Sequence, residues 1–326
     1  MTDAVESLDR DIRNAAANIS NREARYLVDL YYQMQDDRKR AANQERACNE
    51  AEEPNMLIKW VGRQHHMLEK SLKAALGKYA EGQQLGVWAL SHRGIGPVIS
   101  AGLLAHIDFN RCETAGGIWS FAGLDPNVTW HASAKVASAL SVHFGETPSN
   151  ITNDHIVQAC DMYRRKLETI VRYMDGNFKF NELCKAIARQ PWNAKLKVLC
   201  WKIGESFVKV SGNPESYYGR RYIEYRQEED KKNEAGQLAE QAADKLRKFN
   251  IDKTTDAYKA YSQGKLPKAH LFARAKRRTV KLFLSHYFDV GYQLHHGKEP
   301  PRPWAIEFGG HSHYIPPPNR ELVIPV

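Results

Sequence analysis

Apolar residues recur at three- and four-residue spacing through most of this chain, the period of helices packed by one face. In residues 5–50, Ala24, Leu27, Val28, Tyr31 and Tyr32 form one stripe among Arg, Lys, Asp and Glu, which predicts a helix. Glu53-Pro54-Asn55 interrupts it, because proline lacks an N–H donor and fixes its own φ. A second long helix is expected from Met56 to Gln84, with Val61, His65, Leu68, Leu72, Ala75 and Tyr79 in an alternating four-three pattern. Such a seam suits an antiparallel hairpin within the chain or a dimeric coiled coil. The first ninety residues hold no alternating or continuous β-branched run.

Further helices are expected over Val98–Ile107, Thr152–Met174, Phe180–Arg189, Trp192–Val210 and Ala269–Leu294. The stripe expected within Thr152–Met174 is Ile156, Ala159, Cys160, Tyr163 and Leu167. Residues 127–150, with scattered Ser, Thr, Asn and Gly, read as less regular. The charged stretch Tyr222–Leu266 reads as a long exposed helix followed by a loop. The tail KEPPRPWAIEFGGHSHYIPPPN is proline-rich and expected to lie extended across the body. The fold class is mainly α. Its expected organisation is a helical hairpin or coiled coil at 1–87, a helix-hairpin-helix domain at 88–226, a charged helical insertion at 227–266, and a basic helix with the proline-rich tail at 267–326.

The 326 residues carry a formal charge of +9 and a pI of about 9.2, which favours a polyanionic partner. No apolar run is long enough to span a bilayer, and the polar start MTDAVESLDRD does not read as a secretory signal. Cys48, Cys112, Cys160, Cys184 and Cys200 are odd in number and dispersed, with no CxxC. They point to reduced, buried thiols in a cytoplasm, not to a zinc finger.

The stretch SHRGIGPVIS, residues 91–100, puts two glycines and a proline between two helices. One reading is a plain turn. The other is a phosphate cradle, in which backbone N–H groups at the start of the second helix, with its dipole, hold an anionic oxygen. Gly94 and Gly96 remove Cβ atoms from the approach, Pro97 suits the first helical position, and Arg93 and His92 can add charge.

The block GIGPVISAGLLAHI…WSFAGLDP resembles the C-terminal transposase domain of the DEDD insertion-sequence transposases, the bridge-RNA-guided recombinases. Gly94–Pro97 fill the place of that family's hairpin, and Ala122–Pro126 fill its Ala-Gly-Leu-x-Pro element. NAKLKVLCWKIGESFVKVSGNPESYYGRRY and AKRRTVKLFLSH are similar to its later helices. The match covers roughly residues 56–225 and 269–290 in blocks. The resemblance implies DNA transposition or recombination, and it places Ser206 where the family's helix carries a serine nucleophile. Two features depart from the pattern. Residues 1–90 do not resemble the family's α/β domain with its four metal-binding acids, and Asn127–Asn150 replace a Gly-Arg-rich stretch. The chain therefore reads as the transposase domain plus a coiled coil. It carries no cofactor of its own, and a divalent metal enters only if an acidic partner domain is supplied in trans.

A serine hydroxyl needs a base, a metal or nearby cations to act as a nucleophile. Lys202 and Lys209 lie four before and three after Ser206, on roughly one helix face, and Arg220 and Arg221 follow the turn at Gly212-Asn213-Pro214. The alternative is that Ser206 is an ordinary helix serine. Tyr217, Tyr218, Arg220 and Arg221 can stack on bases and hold phosphates, or pack on the core. Arg274, Lys276, Arg277, Arg278 and Lys281 place five cations within two helical turns, which points to an anionic partner or a solvated basic face. His295, His296, His311 and His313 lack the further ligands a zinc site needs, so no metal site is assigned. Ser91, Ser100, Ser120, His131 and His143 form no Ser-His-Asp set, and there is no Walker loop.

The leading expectation is a DNA-binding protein of the insertion-sequence transposase type. Arg93, Gly94, Ile95, Gly96 and the 274–281 patch hold backbone, the N-terminal helices mediate a homodimer or higher oligomer, and RNA is a further candidate partner. No membrane is involved. The alternatives are a non-enzymatic accessory or architectural nucleic-acid-binding factor, and a scaffold in which the turn only connects helices.

Overall fold

A computed structural model describes residues 10–302 and 314–324. His311 and His313 lie outside them, as do Gly309 and Gly310. Helix α1 (Arg10–Ala15) and a 3-10 turn (Ala16–Asn18) lead to α2 (Asn21–Glu50). The single helix expected from residue 5 is thus broken at Ile19-Ser20. Ser20 starts α2 by accepting the Glu23 N–H at 3.1 Å, which satisfies one of the donors a helix start leaves open. Then come α3 (Met56–Glu81), α4 (Gln84–Leu90), α5 (Pro97–His106) and α6 (Ala115–Phe121). The chain continues through α7 (Ser133–Phe144), α8 (Asn153–Tyr163), α9 (Leu167–Met174), α10 (Phe180–Ile187) and α11 (Ala194–Lys209). It ends with α12 (Tyr217–Glu234), α13 (Ala239–Lys248), α14 (Asp256–Ser262) and α15 (Lys268–His296). Among the described residues there is no strand, only an isolated bridge between Asn150 and Lys179. The protein is mainly α, as the apolar periodicity dictates.

Three elements differ from expectation. Residues 127–150, read as irregular, contain α7, which buries Val136 and Leu140 one turn apart. The helix expected over Thr152–Met174 is two helices. Arg164 takes a left-handed φ of +50°, the Arg165 N–H closes α8 on the Cys160 carbonyl at 2.8 Å, and Leu167 is exposed instead of joining the stripe. The charged segment 222–266 holds α13 and α14 beyond the end of α12, after a left-handed turn at Gly236.

The chain forms two compact units, one from residues up to Ala115 and from Leu199 onward, the other from Gly116–Val198. These boundaries differ from the sequence segments 1–87, 88–226, 227–266 and 267–326, because α15 returns to pack on α4 and α12. In the first unit, α2 and α3 pair along their length as a hairpin, with Gly62 against Ala41 and Tyr79 donating to Asn21 at 2.7 Å. Leu72, Ala75 and Tyr79 are buried, and Val61, His65 and Leu68 are half-buried. Further along, Trp88 of α4 stacks on Phe283 of α15, and Phe207 of α11 stacks on Tyr218 of α12. Such rings dominate core burial. In the second unit, Leu140, Ile156, Cys160, Ile170, Leu183 and Ile187 make one core.

The described part of the tail lies along α15 and α4, extended apart from a 3-10 turn at Arg320–Leu322. Trp88 Nε1 donates to the Pro318 carbonyl at 2.8 Å, Asn319 donates to Ser91 at 2.9 Å, and the Tyr314 hydroxyl donates to Asp289. All five cysteines are free and buried, and burial pushes the Cys200 thiol up to about 12 and that of Cys184 to about 11. Thiols so raised are poor nucleophiles. No helix among the described residues is long and apolar enough to cross a membrane.

Candidate nucleic-acid interface

The turn between α4 and α5 closes on itself first. The Ile95 N–H bonds the His92 carbonyl at 2.9 Å and the Ser100 N–H bonds the Gly96 carbonyl at 3.0 Å. It is then held against α11: Ser206 Oγ donates to the Gly94 carbonyl at 2.5 Å. Gly94 adopts φ +104°, and a Cβ there would meet Val210 at 3.2 Å, Phe207 at 3.3 Å and Ser206 at 3.5 Å. The two glycines therefore do different work. Gly94 makes room for the protein's own helix and supplies a backbone angle that other residues resist. Gly96, in extended conformation, has nothing within 4 Å of where its Cβ would stand. It begins α5 without a side-chain cap, with Pro97 in the first turn. The amides of Val98 and Ile99 are thus among those a helix start leaves open.

The neighbouring nominees sort themselves around this turn. Ile95 is 5 % exposed and its N–H is spent inside the turn, so it offers a ligand neither side chain nor donor. His92 does not add charge: it is buried against Trp88, Tyr218 and Phe283, and burial pushes its imidazole down to about 4. Arg93 is exposed and ion-paired with Glu215 in the loop after α11. Lys209 and Arg220, from the end of α11 and the start of α12, are exposed. Lys202 is packed elsewhere, its ammonium 3.9 Å from the centre of the Tyr32 ring, where burial lowers its pKa. Tyr218 belongs to the core: it is 1 % exposed and its hydroxyl lies 2.8 Å from His286 Nδ1, so it cannot stack on a base. Arg221 is bonded to Glu224 at 2.8 Å and to the Tyr217 hydroxyl at 3.4 Å.

The 274–281 cluster is largely neutralised within the fold. Arg274 binds Glu229 at 2.5 Å, Lys276 binds Glu205, and Arg278 binds Glu228 while lying 3.8 Å from the Tyr225 ring centre. Repulsion among these cations is relieved because α12 supplies acids to Arg274 and Arg278 while α11 supplies one to Lys276 on another face of α15. Lys281 also has an interaction within the protein, and Arg277 is exposed. The acids were not singled out in the sequence, although the run Glu228-Glu229-Asp230 opposite a basic helix is their signal. Glu229 is 5 % exposed, so Arg274→Ala is expected to cost about 1–3 kcal/mol by stranding it. Arg277→Ala is expected to stay within about 0.5 kcal/mol. Urea denaturation of both variants checks this.

At the C-terminal end of α15, His295 Nε2 meets Asn110 Oδ1 at 2.9 Å and His296 Nε2 meets the Phe109 carbonyl at 3.2 Å. Both imidazoles tie down the segment after α5. Among the described residues no three His, Cys, Asp or Glu side chains gather as a metal-holding group. Set against known proteins, the chain matches no family model, no curated protein and no solved structure.

Proposed function

We propose that the protein binds DNA in the manner of an insertion-sequence transposase, gripping the phosphate backbone at the Gly94–Pro97 hairpin. The observation that carries this reading is the open face at Gly96 over the uncapped start of α5. Backbone amides there can donate to a phosphate oxygen with the helix dipole behind them, and contacts to phosphate position a protein without reading sequence. Lys209 and Arg220 supply long-range attraction, and Arg93 joins them if phosphate displaces Glu215. The test is binding to duplex, branched and single-stranded DNA, and to RNA, across a salt series. Affinity for DNA should fall steeply and linearly with log salt as counterions are released; no binding at low salt would leave the turn as a connector only.

A second reading, a non-enzymatic accessory or architectural factor, is favoured by one specific contact. The Ser206 hydroxyl proton points at the Gly94 carbonyl, an acceptor that cannot take the proton away, so the hydroxyl fastens the turn. Under this reading Ser206→Ala lowers stability by about 1 kcal/mol and leaves DNA affinity unchanged. Under the transposase reading the same variant also abolishes DNA joining.

A further inference from the structure

The unit formed by Gly116–Val198 contains a cleft of about 250 Å³ where α8 gives way to α9, bounded on its other side by the end of α10. The local backbone explains its character. Because Arg164 turns left-handed at φ +50°, the consecutive residues Arg164, Arg165 and Lys166 fall in the gap between the two helices, and all three line the cleft with Arg189. Ser120 and Thr169 contribute hydroxyls and Tyr173 an aromatic ring, and no acid is in the lining.

Arg165 is the most telling of the four. Its Nη2 donates to the Thr129 carbonyl at 3.0 Å and its Nε to the Ile187 carbonyl at 3.4 Å, while Nη1 is buried with no partner. A half-buried guanidinium held by two carbonyls and no carboxylate is oriented but not neutralised, a costly state for a buried charge. Burial accordingly lowers its pKa. By contrast, Arg38, Arg226, Arg274 and Arg278 each reach an acid. Among the described residues, Arg164, Arg165, Lys166 and Arg189 form no ion pair. Arg189 lies 4.3 Å from the centre of the Tyr173 ring, and Trp130, 54 % exposed, is pinned beside it by an Nε1 bond to the Ala188 carbonyl at 2.8 Å.

We propose that this cleft is a binding site for the phosphate group of a nucleotide. Guanidinium groups match phosphate oxygens in geometry and charge, and the cleft gathers three of them with a lysine and no acid. The volume lies below the ~300–1,000 Å³ of pockets that enclose whole drug-sized ligands, so it holds the phosphate with part of its carrier. The rest extends to the rim, where the exposed rings of Tyr173 and Trp130 can stack on a base. No residue is shared with the Gly94–Pro97 hairpin, so either assignment can fail without the other.

Calorimetry on the full chain at low salt tests the site with three probes: a nucleoside monophosphate, the same nucleoside without phosphate, and inorganic phosphate. The monophosphate should bind, with the nucleoside and inorganic phosphate each at least about tenfold weaker. The double charge reversal Arg164→Glu with Arg189→Glu, and separately Lys166→Glu, change exposed side chains. Each should weaken the monophosphate at least about tenfold with an unchanged melting temperature, while Gly96→Val has no effect on it. The proposal is overturned if the monophosphate does not bind, if the nucleoside or inorganic phosphate binds equally well, or if folded charge-reversed proteins bind like the wild type.

Discussion

Gly94→Val is expected to destabilise the protein by about 2–6 kcal/mol, combining left-handed strain of about 1–3 kcal/mol with overpacking of similar size. The residue sits at φ +104°, and the added side chain would start 3.2–3.3 Å from Val210 and Phe207. Phe207 is fully buried and stacked on Tyr218, so it has little room to yield. Gly96→Val should cost no more than about 1 kcal/mol, the difference between good and poor helix caps. Its φ of −100° and ψ of 177° suit a β-branched residue. Thermal melts of the two single variants check the contrast, and equal melting temperatures would contradict the packing derived for Gly94.

Acid should unfold the protein through two buried imidazoles. His286 Nε2 meets the Ile315 carbonyl at 2.9 Å, which can only accept, so that nitrogen carries the proton. Nδ1 is then the acceptor for the Tyr218 hydroxyl at 2.8 Å. The neutral ring thus joins α12, α15 and the tail, and protonating Nδ1 would set two donors against each other. Burial pushes His286 down to about 3 and His92 down to about 4, against 6.5 when unfolded. The unfolded chain therefore takes up protons first as pH falls. Stability is full above about 6.5 and is lost progressively toward 4 for His92 and 3 for His286. At about 1.4 kcal/mol per pKa unit, each ring contributes roughly 3–5 kcal/mol. The two are not additive, since each disfavours charge on the other. Urea denaturation from pH 7.5 to 4.5 should show this fall, with a shallower slope in His92→Gln. An identical slope in that variant would remove His92 from the account.

Helix positions were legible wherever an apolar stripe met a proline or glycine boundary, as at Pro54 and at Gly94–Pro97. The break between α8 and α9 was not, because Arg164 adopts the left-handed conformation with no glycine to announce it. What stops α8 there is a backbone bond from Arg165 and the burial of Ile170 in a separate stripe. Helix α7 was hidden by its small polar residues, since only Val136 and Leu140 mark its buried face. At the site, the sequence showed a turn able to approach a phosphate, but not that Gly94 faces α11 while Gly96 faces open space. The 274–281 cluster looked unneutralised because its counter-ions, Glu229, Glu228 and Glu205, lie 45, 50 and 71 residues away in the chain. Local charge counting does not see partners at that separation.

Whether the open face at Gly96 grips DNA backbone is read from the affinity of Gly96→Val for duplex DNA beside the wild type across a salt series. The wild type is expected to bind with a steep salt dependence. The variant should melt close to the wild type and bind at least about tenfold more weakly. A folded Gly96→Val protein that binds as the wild type does, or a wild type that ignores DNA at low salt, would contradict that grip.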